Sequence, residues 1–369
     1  MLLRIPVLAP TVRTLLLHVT IARRIALTAL ALATAVPAMA AGRVSIAVLG
    51  LFHSRQVVVE ALPSFPLLVD SGQRQLVAGV GARQRITVNC AGGKIVAQTM
   101  DSQVAGDRIV FEARPGGDAE FFLSVPGKLR RRYRGRLIVT RDARELFPVV
   151  EMELETAVAS VIAAEFSGAP LEALKAQAVV ARSYLISSAR RHRYADFCDT
   201  THCQFLREPP PAGSDAGRAA RATRSLVLAW KGKPFPAMYS ASCGGHTHSL
   251  AQAGYAAVDY PYFPVECAFC RRAPDKWSSR LSEDDAAALG SSERARIAAG
   301  RKLGWHAVPS NTYAKTQADG AYELSGTGRG HGIGLCQRGA AGMAREGKDF
   351  RAILAHYFPN TTVESVTTP

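Results

Sequence analysis

The apolar positions of this chain change period near residue 150. Between Val44 and Val150 they fall in short runs rich in β-branched and aromatic residues: RVSIAVLGLF, RQVVVEAL, ITVNC, KIVAQTM, RIVFEA, FFLSV and RRYRGRLIVT. Gly, Pro, Asp and Asn punctuate these runs, which is strand patterning with turns between. It predicts a small β domain, or a β layer packed on the rest of the core. Asp70-Ser71-Gly72 has no second copy along the chain and reads as a turn. From Val158 the period turns helical, with Val158, Val161, Ile162 and Phe166 on one face. Pro170, after Ser167-Gly168-Ala169, ends that helix and suits the first turn of another, where its missing N–H costs nothing. Leu174, Ala178 and Ala181 continue the second helix, whose small residues permit close backbone approach.

Further on, the pattern predicts a helix to about Thr223, a strand SLVLAW, a hairpin turn at KGKP and a strand FPAMYSAS. The polar stretch 271–325 predicts helices at 282–289 and 292–303. Two more helices follow near 335–345 and 349–357, the last with Asp349 as its N-cap. The fold class is α+β, with a β-rich region over 41–147 packed on a mixed helical and β region over 148–369. No internal repeat or low-complexity segment interrupts it.

Residues 1–40 read as a secretory signal peptide. Arg23-Arg24 precede an apolar run from Ile25 to Ala35, and Ala38-Met39-Ala40 supply the small residues of a cleavage site before Ala41. The run is too short to span a bilayer comfortably, and no other stretch reads as a transmembrane helix. The expected location is therefore outside the cytoplasm, in the periplasm, the wall or beyond. The segment holds Arg4, Arg13, Arg23 and Arg24 and no acid, so its removal lowers the formal charge of +15 by four, to +11. A basic surface suits a polyanion; export argues against nucleic acid and leaves anionic lipid or a wall polymer. The densest basic run, LRRRYRGR over 129–136, reads as a solvated hairpin edge whose charges discourage sheet-to-sheet pairing.

Seven cysteines, at 90, 198, 203, 243, 267, 270 and 336, are an odd number in an oxidising compartment, so at least one is unpaired or metal-bound. Their clustering favours local sites. His192, Cys198, His202 and Cys203 offer zinc soft and borderline ligands, with a local disulfide as the alternative. Cys243, His246, His248, Cys267 and Cys270 form a second group. There Cys267-x2-Cys270 with Cys243 and His246 makes up four ligands, and a disulfide is equally open. Glu165 stands where a buried helix breaks. An acid in such a place is partly desolvated, which raises its pKa and makes it a usable proton donor; capping the turn is the plainer role. The other acids nearby, Glu151, Glu153, Glu155 and Glu172, read as structural charges.

Four stretches, in order, resemble one family. They are IAAEFSGAPLEALKAQAVVARSYLI around Glu165, CDTTHCQ (198–204), YSASCGGHT (239–247) and GRGHGIGLCQRGAAGMA (328–344). Over about 137–358 the chain resembles the SpoIID/LytB family, bacterial cell-wall proteins related to stage II sporulation protein D. The resemblance implies a lytic transglycosylase acting on peptidoglycan glycan strands, with Glu165 as its acid. Such an enzyme protonates the glycosidic oxygen between N-acetylmuramic acid and N-acetylglucosamine. The carboxylate then takes the proton of the sugar's own six-position hydroxyl, closing a 1,6-anhydro ring without water. One carboxylate suffices, whereas a hydrolase normally needs two.

The resemblance also implies zinc held by His192, Cys198 and Cys203, bracing the fold rather than activating water. On the helix after Glu165, Gln177 and Tyr184 are two turns apart and share a face. Both suit sugar hydroxyls or acetamido groups. Arg182 and Ser183 lie beside them, and Arg182 suits Glu165 or a lactyl carboxylate. The alternative is a buried polar network joining the two helices. Glycines 328, 330, 332 and 334 permit positive φ and present His331 and Gln337 as saccharide contacts. The chain departs from the family at Met152 and Ala157, where asparagine and tyrosine are usual, and at Cys336 and Arg338, where serine and an aromatic are usual. Cys336 with His331 invites a cysteine-peptidase reading, for which no orienting third group is evident. The LytB side of the family implies another class, a non-enzymatic wall-binding protein that stimulates an N-acetylmuramoyl-L-alanine amidase partner.

Overall fold

In the computed structural model, which describes residues 42–78, 83–188, 190–256, 260–290 and 292–366, the short apolar runs pair into one large sheet. Its strands are β1 (Arg43–Ala47), β2 (Gln56–Ala61), β3 (Leu67–Asp70), β4 (Gln75–Ala78), β5 (Gln84–Ala91), β6 (Lys94–Gln98), β7 (Gln103–Gly106), β8 (Ile109–Glu112), β9 (Ala119–Val125), β10 (Leu129–Asp142), β11 (Glu145–Glu153) and β12 (Phe197–Cys198). The segment that carries the signal-peptide reading lies outside the described residues. The main strand order is β12-β1-β11-β10-β9-β2-β5-β6-β7, and β8, β3 and β4 branch from β10. Burial alternates strictly along β9, as one core face and one wet face require. Asp70-Ser71-Gly72 is the turn between β3 and β4, with Asp70 Oδ1 accepting the Gly72 N–H.

β10 curls the sheet into a barrel-like shape. Its first half pairs with β9, and from Arg136 onward it pairs with β11 and β8. Gly135 sits at the switch with φ 144°, and a Cβ there would stand 2.3 Å from the Glu151 carbonyl oxygen. Only glycine lets the strand bend there. The arginine run is one strand of a hairpin, as its charge pattern suggested: over Leu129–Gly135 it pairs with β9 alone, and β10 becomes an inner strand only from Arg136 onward. Its side chains are solvated in pairs with acids from neighbouring segments: Arg130 with Glu60, Arg131 with Asp199, and Arg136 with Glu151. Tyr133, in the middle of the run, is fully buried.

The helical pattern is met by α1 (Leu154–Glu165) and α2 (Leu171–Ser187). Pro170 is the N-cap of α2, one position before the expected first turn, within the usual tolerance of helix boundaries. α3 (Asp215–Ala222) follows, then β13 (Leu226–Trp230), β14 (Lys233–Pro234) and β15 (Tyr239–Ser240). The remainder is α4 (Ala268–Arg272), β16 (Lys276–Ser282), α5 (Glu283–Ala287), α6 (Glu293–Leu303), β17 (Tyr313–Ala318), β18 (Ala321–Thr327), β19 (Leu335–Cys336), α7 (Gln337–Arg345), α8 (Phe350–Tyr357) and β20 (Thr362–Ser365). Asp349 caps α8 as expected, accepting the Ala352 N–H at 2.8 Å. In 271–325 the two expected helices are joined by a three-stranded sheet, β16-β18-β17, that the polar composition concealed. The α+β class holds.

α2 lies between two cores. Leu174, Ala178, Ala181 and Leu185 pack on the barrel-like sheet and α1. Ala173, Ala176, Val179 and Val180 pack on the C-terminal elements. Small side chains on both faces allow this double contact. A polar clamp sits inside it: Arg182, fully buried, donates to both Glu155 oxygens at 2.9 and 2.6 Å, and to the Ala220 and Leu226 carbonyls at 3.2 and 3.0 Å. One guanidinium thereby ties α2 to α1, α3 and β13. Replacing Arg182 with leucine leaves Glu155 desolvated and unpaired, and should cost about 3–5 kcal/mol of stability. Urea unfolding checks this; a loss under about 1 kcal/mol, the scale of an exposed pair, would contradict the clamp.

Candidate active site

Glu165 is the last residue of α1, and Phe166 is its C-cap. The carboxylate is half-buried. Its Oε1 accepts the Phe205 N–H at 2.9 Å and the Tyr239 O–H at 3.1 Å. No hydrogen bond among the described residues reaches Oε2. Burial pushes the Glu165 carboxyl above its ordinary value; the two hydrogen bonds and the nearby Arg207 charge oppose that without cancelling it. Arg207 lies flat on Phe205, 3.4 Å from the ring centroid, and donates to the Leu206 carbonyl at 3.0 Å. Burial and the Glu165 charge together push the Tyr239 phenol well up, so it stays a donor. No second acid is among the groups shifting Glu165. Asp199 has its Oδ2 on Arg131 at 3.2 Å and on the Leu49 N–H at 3.4 Å.

Each partner of Glu165 comes from a different segment. Phe205 follows the cysteine loop. Tyr239 opens β15, which pairs in parallel with β19 at Leu335 and Cys336, so the glycine-rich loop is delivered beside it. The glycines of that loop do adopt positive φ, and at Gly334 a Cβ would stand 2.2 Å from the Met238 carbonyl oxygen. His331 accepts the Ile333 N–H on Nδ1 at 3.0 Å and also meets the Tyr239 backbone. Desolvation holds it down to about 4, so it is neutral at pH 7.

The other predicted contacts lie deeper. Gln177 is fully buried, its Oε1 accepting from Gln337 Nε2 at 3.4 Å. Arg182 binds Glu155 rather than Glu165. Ser183, also fully buried, donates to the Val179 carbonyl at 2.6 Å and accepts the Leu228 N–H at 2.8 Å. Arg182 and Ser183 present no group to a ligand, because their hydrogen-bonding capacity is used between elements. The Tyr184 hydroxyl meets Arg191 at 2.5 Å, and its pKa is pushed up to about 12 by burial. Met152 and Ala157, where the chain departs from the family, are both fully buried, so those departures change packing. Arg338 is exposed. Tyr239, Phe205 and Arg207 had no assigned role; Tyr239 opens the quoted YSASCGGHT stretch, and that position was the available signal.

Two metal-type clusters follow. His192, Cys198, His202 and Cys203 each bring one ligand atom within 4.8 Å of the others. His192 Nε2 is 3.3 Å from Cys203 Sγ, and His202 Nδ1 is 3.6 Å from it. The hydrogen bond with Cys203 pulls the Cys198 thiol below its ordinary value. Two sulfurs and two imidazoles fit a tetrahedral zinc site, with His202 added to the expected three ligands. Cys203 is two residues from Phe205, so the cluster adjoins the residue whose N–H donates to Glu165.

The second cluster is Cys243, Cys267, Cys270 and Cys336, all buried, and it too could hold a metal. Here the expected donor set is corrected. His246 is exposed and bridges to Glu266, and Cys336 takes the fourth place. Cys336 is therefore enclosed among thiols, which removes the nucleophile from the cysteine-peptidase reading. His248 lies apart, with Nε2 3.2 Å from Thr312 Oγ1.

An α+β protein with a desolvated glutamate at a helix break, held by a cysteine-loop amide and a tyrosine, is the class these elements define. Residues 143–230 match the family model described as stage II sporulation protein, SpoIID. An uncharacterized protein of Brachyspira hyodysenteriae is 29% identical, over 61% of this chain and 70% of its own length. The amidase enhancer of Bacillus subtilis is 25% identical, over 53% of this chain and 38% of its own length. Stage II sporulation protein D of Bacillus amyloliquefaciens is 24% identical, over 58% and 75%. The chain is thus similar to the SpoIID family, most directly over residues 143–230. Among the described residues no helix is long and apolar enough to cross a membrane.

Replacing Cys198 and Cys203 with alanine removes both sulfurs of the first cluster and should free the loop after it. The check is amide hydrogen exchange at Phe205, expected to speed up at least tenfold while exchange in β9 stays unchanged. Unchanged protection at Phe205 would mean that the cluster does not brace Glu165.

Proposed function

We propose that this protein is an exported lytic transglycosylase that cleaves peptidoglycan glycan strands between N-acetylmuramic acid and N-acetylglucosamine, leaving 1,6-anhydro ends. The observation that carries the reading is the state of Glu165: one oxygen held by two donors, the other without a hydrogen bond among the described residues, and the acid form favoured by burial. Oε2 carries the proton to the glycosidic oxygen. The resulting carboxylate, stabilised on Oε1 by Phe205 and Tyr239, then removes the proton of the six-position hydroxyl. A single carboxylate suffices for this route, whereas a hydrolase normally needs two. His331, neutral and set against the Tyr239 backbone, orients that tyrosine, and Gln177 with Gln337 supports the wall behind it. Zinc at His192, Cys198, His202 and Cys203 holds the Phe205 loop when bound and takes no part in the chemistry. In this reading 41–147 positions the glycan and 148–369 is the catalytic region. The net positive charge draws the protein to the anionic wall, with no nucleic-acid partner.

A second reading rests on the relative named amidase enhancer: a wall-binding protein that stimulates an N-acetylmuramoyl-L-alanine amidase without cutting glycan. One experiment separates the two. Denuded glycan strands are incubated with the protein or with E165Q, and the products are weighed by mass spectrometry. Anhydro-ended fragments are expected from the wild type, and about 10²–10⁴-fold fewer from E165Q. Reducing ends would mean a hydrolase. No glycan product from either protein, with faster peptide release from peptide-bearing peptidoglycan when an amidase is added, would establish the second reading.

The tyrosine gives a pH test. Its hydroxyl stabilises the charged form of Glu165, so Y239F should raise the Glu165 pKa further. The acid form is the competent one, and kcat/KM falls as pH rises through that pKa. The alkaline limb of the Y239F profile should therefore lie at higher pH than that of the wild type. A limb at lower pH, or an unmoved one, would contradict the assigned hydrogen bond.

A further inference from the structure

We propose that Cys243, Cys267, Cys270 and Cys336 form a four-thiolate zinc site, separate from the first cluster and from the Glu165 chemistry. The four sulfurs lie within 4.8 Å of one another, and each residue is at most 3% exposed. They come from three distant segments: Cys243 after β15, the Cys267-x2-Cys270 knuckle around the start of α4, and Cys336 ending β19. Among the described residues no imidazole or carboxylate joins them, and a closed set of four soft donors selects zinc in its structural mode.

The surroundings favour thiolates. Cys336 Sγ accepts the N–H of Cys243 and of Gly339, both at 3.4 Å. As N-cap of α7 it also lies at the positive end of that helix. Ser242 Oγ is 3.5 Å from Cys270 Sγ, and Tyr357 Oη is 3.4 Å from Cys267 Sγ. These are the outer donors that orient and charge a ligating sulfur. Space has been kept as well: a Cβ on Gly339 would stand 2.5 Å from Cys267 Sγ and closer still to the Tyr357 hydroxyl.

Two disulfides are the competing state of four thiols in an exported protein. The Cys270 and Cys336 sulfurs are 3.5 Å apart. That is near the edge of a tetrahedron with metal–sulfur bonds of about 2.3 Å, which is about 3.8 Å, and well beyond a disulfide bond of about 2 Å. A cavity lined by Glu266, Cys267, Phe269, Met343, His356 and Tyr357 borders the cluster at Cys267. Each thiol gives up its proton to solvent as the ion binds. The site then clasps the base of β15, α4 and the start of α7, the segments that carry Tyr239 and Gln337.

The test is metal counting on the whole exported chain by plasma mass spectrometry, with intact-mass measurement of the protein. Two zinc ions per wild-type chain are expected, one in C198A/C203A, and one in C267S/C270S. Cobalt loaded into C198A/C203A should show the intense charge-transfer and visible bands of a tetrahedral four-sulfur site. A C198A/C203A chain without metal would overturn the proposal, as would a mass lighter by the hydrogens of disulfides at these cysteines. If either variant fails to fold, the wild-type count decides: two ions support the site, and one or none overturns it. None of these readouts depends on glycan cleavage, so failure here and failure of the transglycosylase reading are distinguishable.

Discussion

The structure depends on holding one carboxylate in a place that disfavours its charge. Glu165 ends a helix whose other face is buried, and desolvation there raises its pKa. Left to desolvation alone, the group would be an acid with no means of accepting charge afterwards. Phe205 and Tyr239 supply that means on one oxygen and leave the other open. A carboxyl that must first give and then take a proton needs both influences, burial to keep the proton and donors to stabilise its loss. Neither donor is near Glu165 in sequence, so the site exists only when three segments meet.

Much of the remaining fold can be understood as what makes them meet. α2 is thin on both faces, which lets the barrel-like sheet and the C-terminal core close on either side of it. The Arg182–Glu155 clamp removes a buried charge by pairing it and sets the angle between α1 and α2. Breaking such a pair is costly even where forming it adds little. The first Cys/His cluster lies on the loop leading to Phe205, and the four-cysteine cluster brings together residues next to the segments bearing Tyr239 and Gln337. The chemistry is carried by few side chains, and the fold spends most of its polar interior on positioning them.

Glu165, both helices around it, the glycine loop and the two cysteine groups were legible because each is a local pattern: a period, a Pro-bounded turn, a spacing. Tertiary partnership was not. Arg182 and Ser183 look equally suited to a ligand and to a buried network, and only the carbonyls of Ala220 and Leu226 and the N–H of Leu228, all far along the chain, decide for the network. His246 and Cys336 were exchanged for the same reason, since sequence proximity favoured the histidine while the β15–β19 pairing brings in the cysteine. The strands of 271–325 escaped because few of their side chains are buried.

The central claim is that Glu165 is a carboxyl whose proton is retained by burial. Its most direct test is the carbon-13 NMR titration of that side chain in the whole protein, assigned by difference from E165Q. The account predicts a folded-state pKa above the ordinary glutamate value of 4.5, and a further rise in Y239F. A titration at or below that value would leave Glu165 ionised under working conditions and contradict its role as the proton donor.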